Sequence, residues 1–380
     1  MRVLFFTHTN SLDGANRSLL QLAKELRHNH GVEPVVACPR DRLSPVLTDV
    51  YAKEGIECIP VPMVMFKQKG RKSWAYKIRF AVSSAIHCIS AIHALRNVKF
   101  DIVHSNTSVI DTGAYIAWWR GVPHVWHLRE FGYEDFQMES VLGKLYERWI
   151  YKKCTYAIAI SKAIERKYKP LFGSRLRLIY NGIVPKEELL SATHTNKTTT
   201  FCIAGRLEPN KNQMEVLKAC RLLKQEWKHK FRLLIVGAGN AAYTEKLKKY
   251  VADNRLDDRV EFMGYRDDVP EVLRLCDVGL TSSVSEAFGR TTVEYMMQNL
   301  AVIASDTGAN PEIVCDSATG LLYHSGNARL LADKMLKFLD DRDLMLRLAA
   351  NGRQHALKHF SSVKNSDKIF NLYKTLRINQ

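Results

Sequence analysis

Apolar positions along this chain alternate between short continuous blocks and longer stretches with helical spacing. The blocks at residues 2–8 and 34–38 have the length of buried strands, whereas Leu19, Leu22 and Leu26 recur about one helical turn apart. Strands that alternate with helices in this way predict a parallel sheet with helices on both faces.

The alternation occurs twice. In the first half, strands are predicted at 2–8, 34–38, 57–61, 101–104, 123–127, 157–160 and 176–179. In the second half, they are predicted at 200–204, 231–236, 260–262, 278–280, 301–304 and 320–323. Residues 184–200 lose the apolar periodicity and are predicted to form a linker. Because 380 residues are too many for one ordinary core, we expect an α/β fold of two Rossmann-like, doubly wound domains, residues 1–183 and 184–361, facing a cleft.

The chain is basic, and the excess of positive charge is uneven. The formal net charge is +17 at pH 7; residues 1–180 carry 27 Lys and Arg against 15 Asp and Glu, and the rest carries 29 against 24. A basic first half predicts an anionic partner, which could be a phosphorylated substrate, a nucleic acid or an anionic membrane.

The spacing of the cysteines and the N-terminal residues predict the cellular compartment of the protein. The eight cysteines form no Cys-x-x-Cys pair, which disfavours zinc ribbons and a disulfide framework and favours a reducing cytosol. Only Val3 to Phe6 are apolar before Thr7, too few for a signal peptide. The longest apolar segment, residues 80–95, is interrupted by Ser and His, so no helix is predicted to span a bilayer.

One basic segment also contains aromatic residues. Residues 67–99 carry eight Lys and Arg and no Asp or Glu, and Trp74, Tyr76 and Phe80 lie among them. Segments of this kind bind anionic membrane surfaces, and the alternatives are a solvated helix face and a nucleic-acid patch. The lack of zinc-finger spacing and of an RNA-binding aromatic motif disfavours nucleic acid.

A polar segment from Thr281 to Glu294 directly follows the predicted strand 278–280. A strand, a polar turn and a helix N-terminus in succession form an anion site, because the first N–H groups of a helix are unpaired and its dipole favours negative charge. The helix is predicted to begin near Phe288. Eight helical residues would separate Glu286 from Glu294 by about 12 Å, beyond the ~10 Å of paired hydrolytic carboxylates. The two glutamates are therefore predicted to flank a ligand, with solvated or capping carboxylates as the alternative.

Basic and glycine-rich turns follow the first two strands of the second half. Arg206 and Lys211 flank a Gly/Pro turn and could converge on one diphosphate, although a solvated basic turn would look the same. The segment Gly237-Ala238-Gly239 with the following Asn-Ala-Ala matches the loose dinucleotide fingerprint, and a tight turn is the alternative.

His127 ends a predicted strand in the first half. At the end of a parallel strand it could donate a hydrogen bond to a substrate hydroxyl. A buried structural histidine is the alternative.

Together these motifs resemble those of the retaining, nucleotide-sugar-dependent glycosyltransferases of family 4, which have the GT-B fold. The resemblance is strongest over residues 205–323 and continues more weakly over the first 183. It is carried by Asn181-Gly182-Ile183, Gly205-Arg206 with Lys211, Gly264-Tyr265, Ser285-Glu286-Ala287-Phe288-Gly289 with Glu294, and Ser305-Asp306-Thr307-Gly308 followed by Pro311-Glu312-Ile313-Val314.

The resemblance implies four catalytic residues: Glu286, His127, Arg206 and Lys211. Arg206 and Lys211 would hold the donor diphosphate and stabilise the leaving nucleotide, so that no metal ion would be required. Glu286 would contact the donor sugar, and His127 would reach that sugar from the first domain. The leaving phosphate would act as the base for the acceptor hydroxyl in a front-face attack.

The resemblance also implies a set of donor-binding residues: Gly14, Gly205, Tyr265, Arg266, Phe288, Gly289, Arg290 and Glu294. Glu294 would bind the ribose hydroxyls, and Tyr265 and Arg266 would line the base. Gly14 would let the backbone approach the phosphates, although Asp13 stands beside it where many relatives have a second glycine.

The implied activity is transfer of a sugar from a UDP- or GDP-sugar to a hydroxyl of a glycan or lipid-linked acceptor, in the synthesis of a cell-surface polysaccharide. No cofactor is expected. The location would be cytoplasmic, at the inner face of the membrane, and the last helix, about 362–380, would pack back on the first domain. The alternatives are a phosphorylase, which would generally carry pyridoxal phosphate, a nucleotide-sugar epimerase, and a non-catalytic module that binds nucleotide sugars.

Overall fold

The computed structural model describes residues 1–12, 14–40, 45–184, 198–226 and 229–378. The chain forms two compact units, Met1–Val184 with Ser362–Gln380, and Pro185–Ser361. Asp13 and most of the predicted linker lie outside the described residues. Each unit contains a parallel sheet flanked by helices, as the alternating pattern predicts.

The first unit is built on a sheet whose described strands lie in the order β3-β2-β1-β5-β6-β8-β9, with every pair parallel. Strands β4 and β7 form a separate antiparallel ribbon. The strands are β1 Arg2–Phe6, β2 Glu33–Pro39, β3 Glu57–Val61, β4 Lys67–Lys69, β5 Ile102–Ser105, β6 His124–Leu128, β7 Met138–Ser140, β8 Tyr156–Ala159 and β9 Leu176–Leu178.

The second unit has a parallel sheet in the order β12-β11-β10-β13-β14-β15. Its strands are β10 Thr200–Ala204, β11 Arg232–Val236, β12 Val260–Gly264, β13 Val278–Thr281, β14 Ala301–Ser305 and β15 Leu321–Tyr323. The central strands are buried almost throughout, which explains why they read as continuous apolar runs rather than as alternating patterns.

Helices cover the sheets. They are α1 Gly14–His30, α2 Pro45–Lys53, α3 Trp74–Leu95, α4 Thr112–Arg120, α5 Tyr133–Phe136, α6 Lys144–Lys152, α7 Lys162–Phe172, α8 Gln213–Gln225, α9 Ala241–Asp253, α10 Val269–Arg274, α11 Arg290–Met297, α12 Asn310–Ile313, α13 Ala328–Asp340, α14 Arg342–His359 and α15 Ser362–Ile378. The last helix, α15, packs against α1 and contributes Ile369 and Tyr373 to the core of the first unit.

Helix α11 begins later than the sequence predicts. It starts at Arg290, and Gly289 before it has a left-handed φ of +85°. Glu294 is therefore only the fifth helical residue, and residues 286–289 are not helical. The 12 Å estimate is wrong in its premise, because it assumed a helical rise over the whole interval from Glu286 to Glu294.

Among the described residues, α3 is long and apolar enough to cross a membrane when judged by length and composition alone. The prediction that no helix spans a bilayer stays a prediction, because length and composition alone are weak evidence for a membrane span. A core helix can pass the same test, and Phe80, Ala91 and Leu95 of α3 are buried in the first unit. Length and composition by themselves therefore do not assign α3 to a bilayer.

Candidate active site

Two predicted charged residues of the second unit, Lys211 and Glu286, meet at the point where the strand order of its sheet reverses. Strands β10 and β13 are neighbours in the sheet although they are far apart in the chain. After β10 the chain continues to β11 on one side, and after β13 it continues to β14 on the other side. Ligands of open α/β sheets bind in the crevice at such a point. The loop after β10 carries Arg206 and Lys211, and the loop after β13 carries Glu286.

Lys211 and Glu286 form an ion pair across the two loops, with 2.8 Å between Nζ and Oε2. The loops are joined by further bonds. Ser282 Oγ donates to the Lys211 carbonyl at 2.8 Å, and the Val284 N–H donates to the Asn210 carbonyl at 2.9 Å. These hydrogen bonds to backbone carbonyls hold the two loops together. The position of the ion pair therefore does not depend on the Lys211 and Glu286 side chains alone.

A third loop, after β14, supports the backbone of Glu286. The Ala309 N–H donates to the Glu286 carbonyl at 2.8 Å. Gly308 has a φ of +56°, and a Cβ at that position would lie 2.1 Å from the same carbonyl oxygen. The Ser-Asp-Thr-Gly segment of the sequence thus serves to place the Glu286 loop, and only glycine allows this approach.

The Glu286 carboxyl stays ionised although it is largely buried. Burial alone would raise its pKa, but Lys211 beside it and bonds from Ser283 and the Gly289 N–H together lower the pKa below the ordinary value. The Gly289 N–H donates to Oε1 at 3.2 Å. The N–H of Gly289, a predicted donor-binding residue, is therefore engaged by Glu286 in this structure.

The other predicted cation, Arg206, does not join this pair. Its side chain is 71% exposed and forms an ion pair with Glu208 at 2.6 Å. The structure thus brings Lys211 to Glu286 and directs Arg206 to a different carboxylate. Exposed pairs of this kind contribute only about 0–1 kcal/mol.

Arg290 and Glu294 pair with each other on α11, with 2.8 Å between Nε and Oε1, and both are partly exposed. Phe288 is buried. Tyr265 and Arg266 lie in the exposed loop after β12; the Tyr265 hydroxyl donates to Asp267, and Arg266 donates two bonds to Asp268.

The glycine-rich turn after β11 has a packing explanation. A Cβ on Gly237 would lie 2.0 Å from the carbonyl oxygen of Gly205, and one on Gly239 would lie 2.4 Å from that of Leu207. Leu207 and Gly239 also form a β-bridge. Gly205, with a φ of +146°, and the two glycines let the loops after β10 and β11 touch, which favours the tight-turn interpretation of the fingerprint.

The two predicted site residues of the first unit, Gly14 and His127, have different surroundings. Gly14 is the first residue of α1 and is exposed, and a Cβ there would meet nothing within 4 Å. His127 is fully buried and is the last residue but one of β6. Sequence reasoning missed its buried polar neighbours His104 and Arg129. The available signal was that His104, like His127, ends a predicted strand.

Two family descriptions match the chain, one for each unit. Residues 12–187 match Glycosyltransferase Family 4, and residues 186–355 match Glycosyl transferases group 1. The matches meet within a few residues of the boundary between the units.

Curated relatives match over most of their length. The chain is 27% identical over 314 residues to a UDP-Gal:alpha-D-GlcNAc-diphosphoundecaprenol alpha-1,3-galactosyltransferase of Escherichia coli, covering 77% of this chain and 80% of that protein. It is 25% identical over 241 residues to the putative glycosyltransferase EpsD of Bacillus subtilis, covering 60% and 62%.

Solved structures share the fold. HepE of Anabaena, solved with UDP and with UDP-glucose, superposes with a TM-score of 0.80 at 20% identity, over 99% of this chain and 100% of that one. Sucrose-phosphate synthase of Thermosynechococcus elongatus gives 0.77 at 17% identity, over all of both chains.

Proposed function

The chain is a glycosyltransferase of the GT-B type, and from this we propose that it transfers a sugar, with retention of configuration, from a UDP- or GDP-sugar to a hydroxyl of a glycan or lipid-linked acceptor. The observation that carries the proposal is the Lys211–Glu286 ion pair at the point where the strand order of the sheet reverses. It supports the proposal because a cation suited to phosphate and an ionised carboxylate suited to sugar hydroxyls lie at the strand ends, where α/β sheets bind ligands.

The proposed reaction exchanges one bond at the anomeric carbon for another. The bond from that carbon to the diphosphate oxygen breaks, and a bond to the acceptor oxygen forms on the same face. The acceptor proton passes to the leaving phosphate. Lys211, joined by Arg206 once it leaves Glu208, neutralises the charge that develops on the diphosphate, which is the work a metal ion does elsewhere. Glu286 accepts hydrogen bonds from the sugar hydroxyls.

The relatives support a choice of donor and pathway. HepE was solved with UDP and UDP-glucose, and the Escherichia coli relative is named for UDP-Gal and a diphosphoundecaprenol-linked acceptor. We therefore place UDP-sugars first among the donors and a lipid-linked sugar first among the acceptors, in the building of a cell-surface polysaccharide.

Nucleotide release from UDP-, GDP- and ADP-sugars tests the proposal, with wild type beside Glu286→Gln. We expect release from one donor, and a fall of about 10²-fold or more in the variant, because an amide cannot accept from sugar hydroxyls as a carboxylate does. An acceptor mixture of lipid-linked sugars is included. Equal rates in both proteins would show that Glu286 is not part of the site. No nucleotide release from any donor, together with pyridoxal absorbance and formation of a sugar 1-phosphate from a glycan and inorganic phosphate, would favour a phosphorylase.

We also propose that the first unit binds the cytoplasmic face of an anionic membrane. The α3 face, defined as Trp74, Ile78, Val82, Ile86 and Ile89, follows one side of the helix, and its side chains are 54–75% exposed. Basic residues occur along the same segment without acidic ones. An apolar stripe on a basic helix favours the interface of an anionic bilayer.

Removing part of the α3 face is expected to weaken membrane binding. In co-sedimentation with vesicles that contain phosphatidylglycerol, Ile86→Ser/Ile89→Ser should bind about tenfold more weakly or worse, because two apolar side chains no longer leave water. The matched control is Leu275→Ser, an exposed leucine (62%) of the second unit, which should bind like wild type. Binding that does not depend on anionic lipid, or an equal loss in the control, would contradict the assignment.

A further inference from the structure

A buried tyrosine of the second unit joins helix α11 to the end of strand β10. The Tyr295 hydroxyl accepts a hydrogen bond from the Ala204 N–H at 2.6 Å. The Tyr295 side chain is fully buried. The bond therefore connects the helix that carries Glu294 to the strand end that precedes Gly205 and Arg206.

This hydrogen bond lies beyond the registered pairing of β10 with β13. The two strands pair through residues 201–202 opposite 278–279, and Ala204 lies two residues further along β10. An N–H group at a largely buried strand end costs free energy when it lacks an acceptor. The Tyr295 hydroxyl supplies that acceptor from a helix.

Gly279 of β13 makes room for the Tyr295 ring. A Cβ on Gly279 would lie 2.3 Å from Cγ and from Cδ2 of the ring, so a side chain there would displace the tyrosine. The ring therefore packs directly against the backbone of β13. This close packing fixes the direction in which the hydroxyl points.

Helix α11 is attached to both central strands of the sheet. Thr292 of the helix and Thr281 of β13 are joined through their hydroxyls at 3.0 Å, and both are buried. The Tyr295 bond adds an attachment to β10. The position of α11 is thus tied to the strand end from which the Arg206 loop begins.

The two ends of the Tyr295 bond adjoin two predicted donor-binding groups. Glu294, which is predicted to bind ribose hydroxyls, directly precedes Tyr295 in the chain. Arg206, which is predicted to hold the diphosphate, follows Ala204 by two residues, and its carbonyl accepts a bond from Gln213 Nε2 at 2.9 Å. The spacing between these two groups therefore depends on the bond.

We infer that Tyr295 is a positioning residue that sets the spacing between the ribose contact and the diphosphate contact of the donor. This inference rests on the proposed function for its ligand. A nucleoside diphosphate makes both contacts at once, so its affinity depends on how well their spacing is preorganised. A ligand that makes only one of the contacts does not sense the spacing.

Amide exchange tests the hydrogen bond without any ligand. In Tyr295→Phe, which keeps the ring, the Ala204 N–H should exchange about 3- to 10-fold faster because its acceptor is gone. The Thr200 N–H, which donates to Asp277 Oδ2 at 2.8 Å at the other end of β10, should exchange as in wild type. Equal exchange of the Ala204 N–H in both proteins would overturn the inference.

Binding of UDP, uridine and inorganic pyrophosphate tests the positioning role. Tyr295→Phe should weaken the binding of UDP by about 3- to 10-fold and change that of uridine and of pyrophosphate by less than about twofold. Equal weakening of all three ligands, or an unchanged affinity for UDP, would overturn the positioning role. If wild type binds neither UDP nor GDP, the proposed function and the positioning role both fail, whereas the exchange of the Ala204 N–H still tests the hydrogen bond.

Tyr243→Phe is the matched control. The Tyr243 hydroxyl accepts the Met214 N–H at 3.2 Å, so this variant loses the same kind of bond in the same unit, between α9 and α8. It should bind UDP like wild type even where its thermal midpoint falls as far as that of Tyr295→Phe. An equal loss of UDP affinity in both variants would show that Tyr295 only supports the fold.

Discussion

Replacing Lys211 with methionine is expected to lower turnover of the nucleotide sugar by about 10²–10³-fold, the usual loss when one fixed electrostatic stabiliser of a transition state is removed. Lys211 is the cation that the structure places against Glu286, at the point between β10 and β13 where the strand order reverses. Methionine keeps most of the length and apolar surface of the side chain, so the change tests the charge. The loss should appear mainly in kcat, because the diphosphate gains negative charge as it leaves.

The control is Lys218→Met, an exposed lysine on α8, the helix that follows Lys211 in the chain. It should keep full turnover and the same thermal midpoint. The double variant Lys211→Met/Glu286→Gln should lose less than the product of the two single losses, because the two groups act as a pair. Full activity of Lys211→Met, or equal losses in Lys218→Met, would show that the pair does not serve the reaction.

The same variant is expected to change the dependence of stability on pH. In wild type the pKa of Glu286 is lowered, so this carboxyl adds stability above the unfolded value of about 4.3 and loses it as pH falls through the folded value. Without Lys211 the two largest causes that lower this pKa are lost, so the ionised carboxyl would be less stable in the folded protein at pH 7. The difference in thermal midpoint between wild type and Lys211→Met should therefore shrink from pH 7 to pH 4.

Replacing Gly308 with alanine is expected to destabilise the second unit by about 2–5 kcal/mol and to abolish most turnover. The added Cβ would lie 2.1 Å from the Glu286 carbonyl oxygen and 2.7 Å from its nitrogen, so the backbone of the Glu286 loop must move. The left-handed φ of +56° adds about 1–2 kcal/mol for a residue with a Cβ, and overpacking adds about 1–3 kcal/mol. At about 2–4 °C per kcal/mol for a unit of this size, calorimetry should detect the shift readily.

Gly326→Ala separates these two causes. Gly326 also has a left-handed φ, +88°, but a Cβ there would meet nothing within 4 Å. It should lose only the backbone contribution and keep its turnover. Equal destabilisation by both substitutions, or full turnover of Gly308→Ala, would mean that the loop after β14 does not hold Glu286 in place.

The elements of this fold are largely predictable because their signal is local. A run of buried apolar residues marks a strand wherever it pairs, so strands such as Glu57–Val61 and Thr200–Ala204 match their predicted bounds. The start of α11 was predicted wrongly because Gly289 is left-handed, and a sequence does not display the φ of a glycine. Lys211 and Glu286 could likewise be identified as candidate site residues from the sequence, because both lie in turns that follow predicted strands.

Only the tertiary structure decided which of these residues meet. The order of the strands brings β10 beside β13 and β5 beside β6, and this pairs Lys211 with Glu286 and His104 with His127. It also brings Tyr373, from the far end of the chain, to His104. Hydrophobic periodicity determines what each segment becomes, because it depends on neighbours three or four residues away. Which segments become neighbours depends on packing between residues that are distant in the chain. The local hydrophobic pattern does not determine that packing.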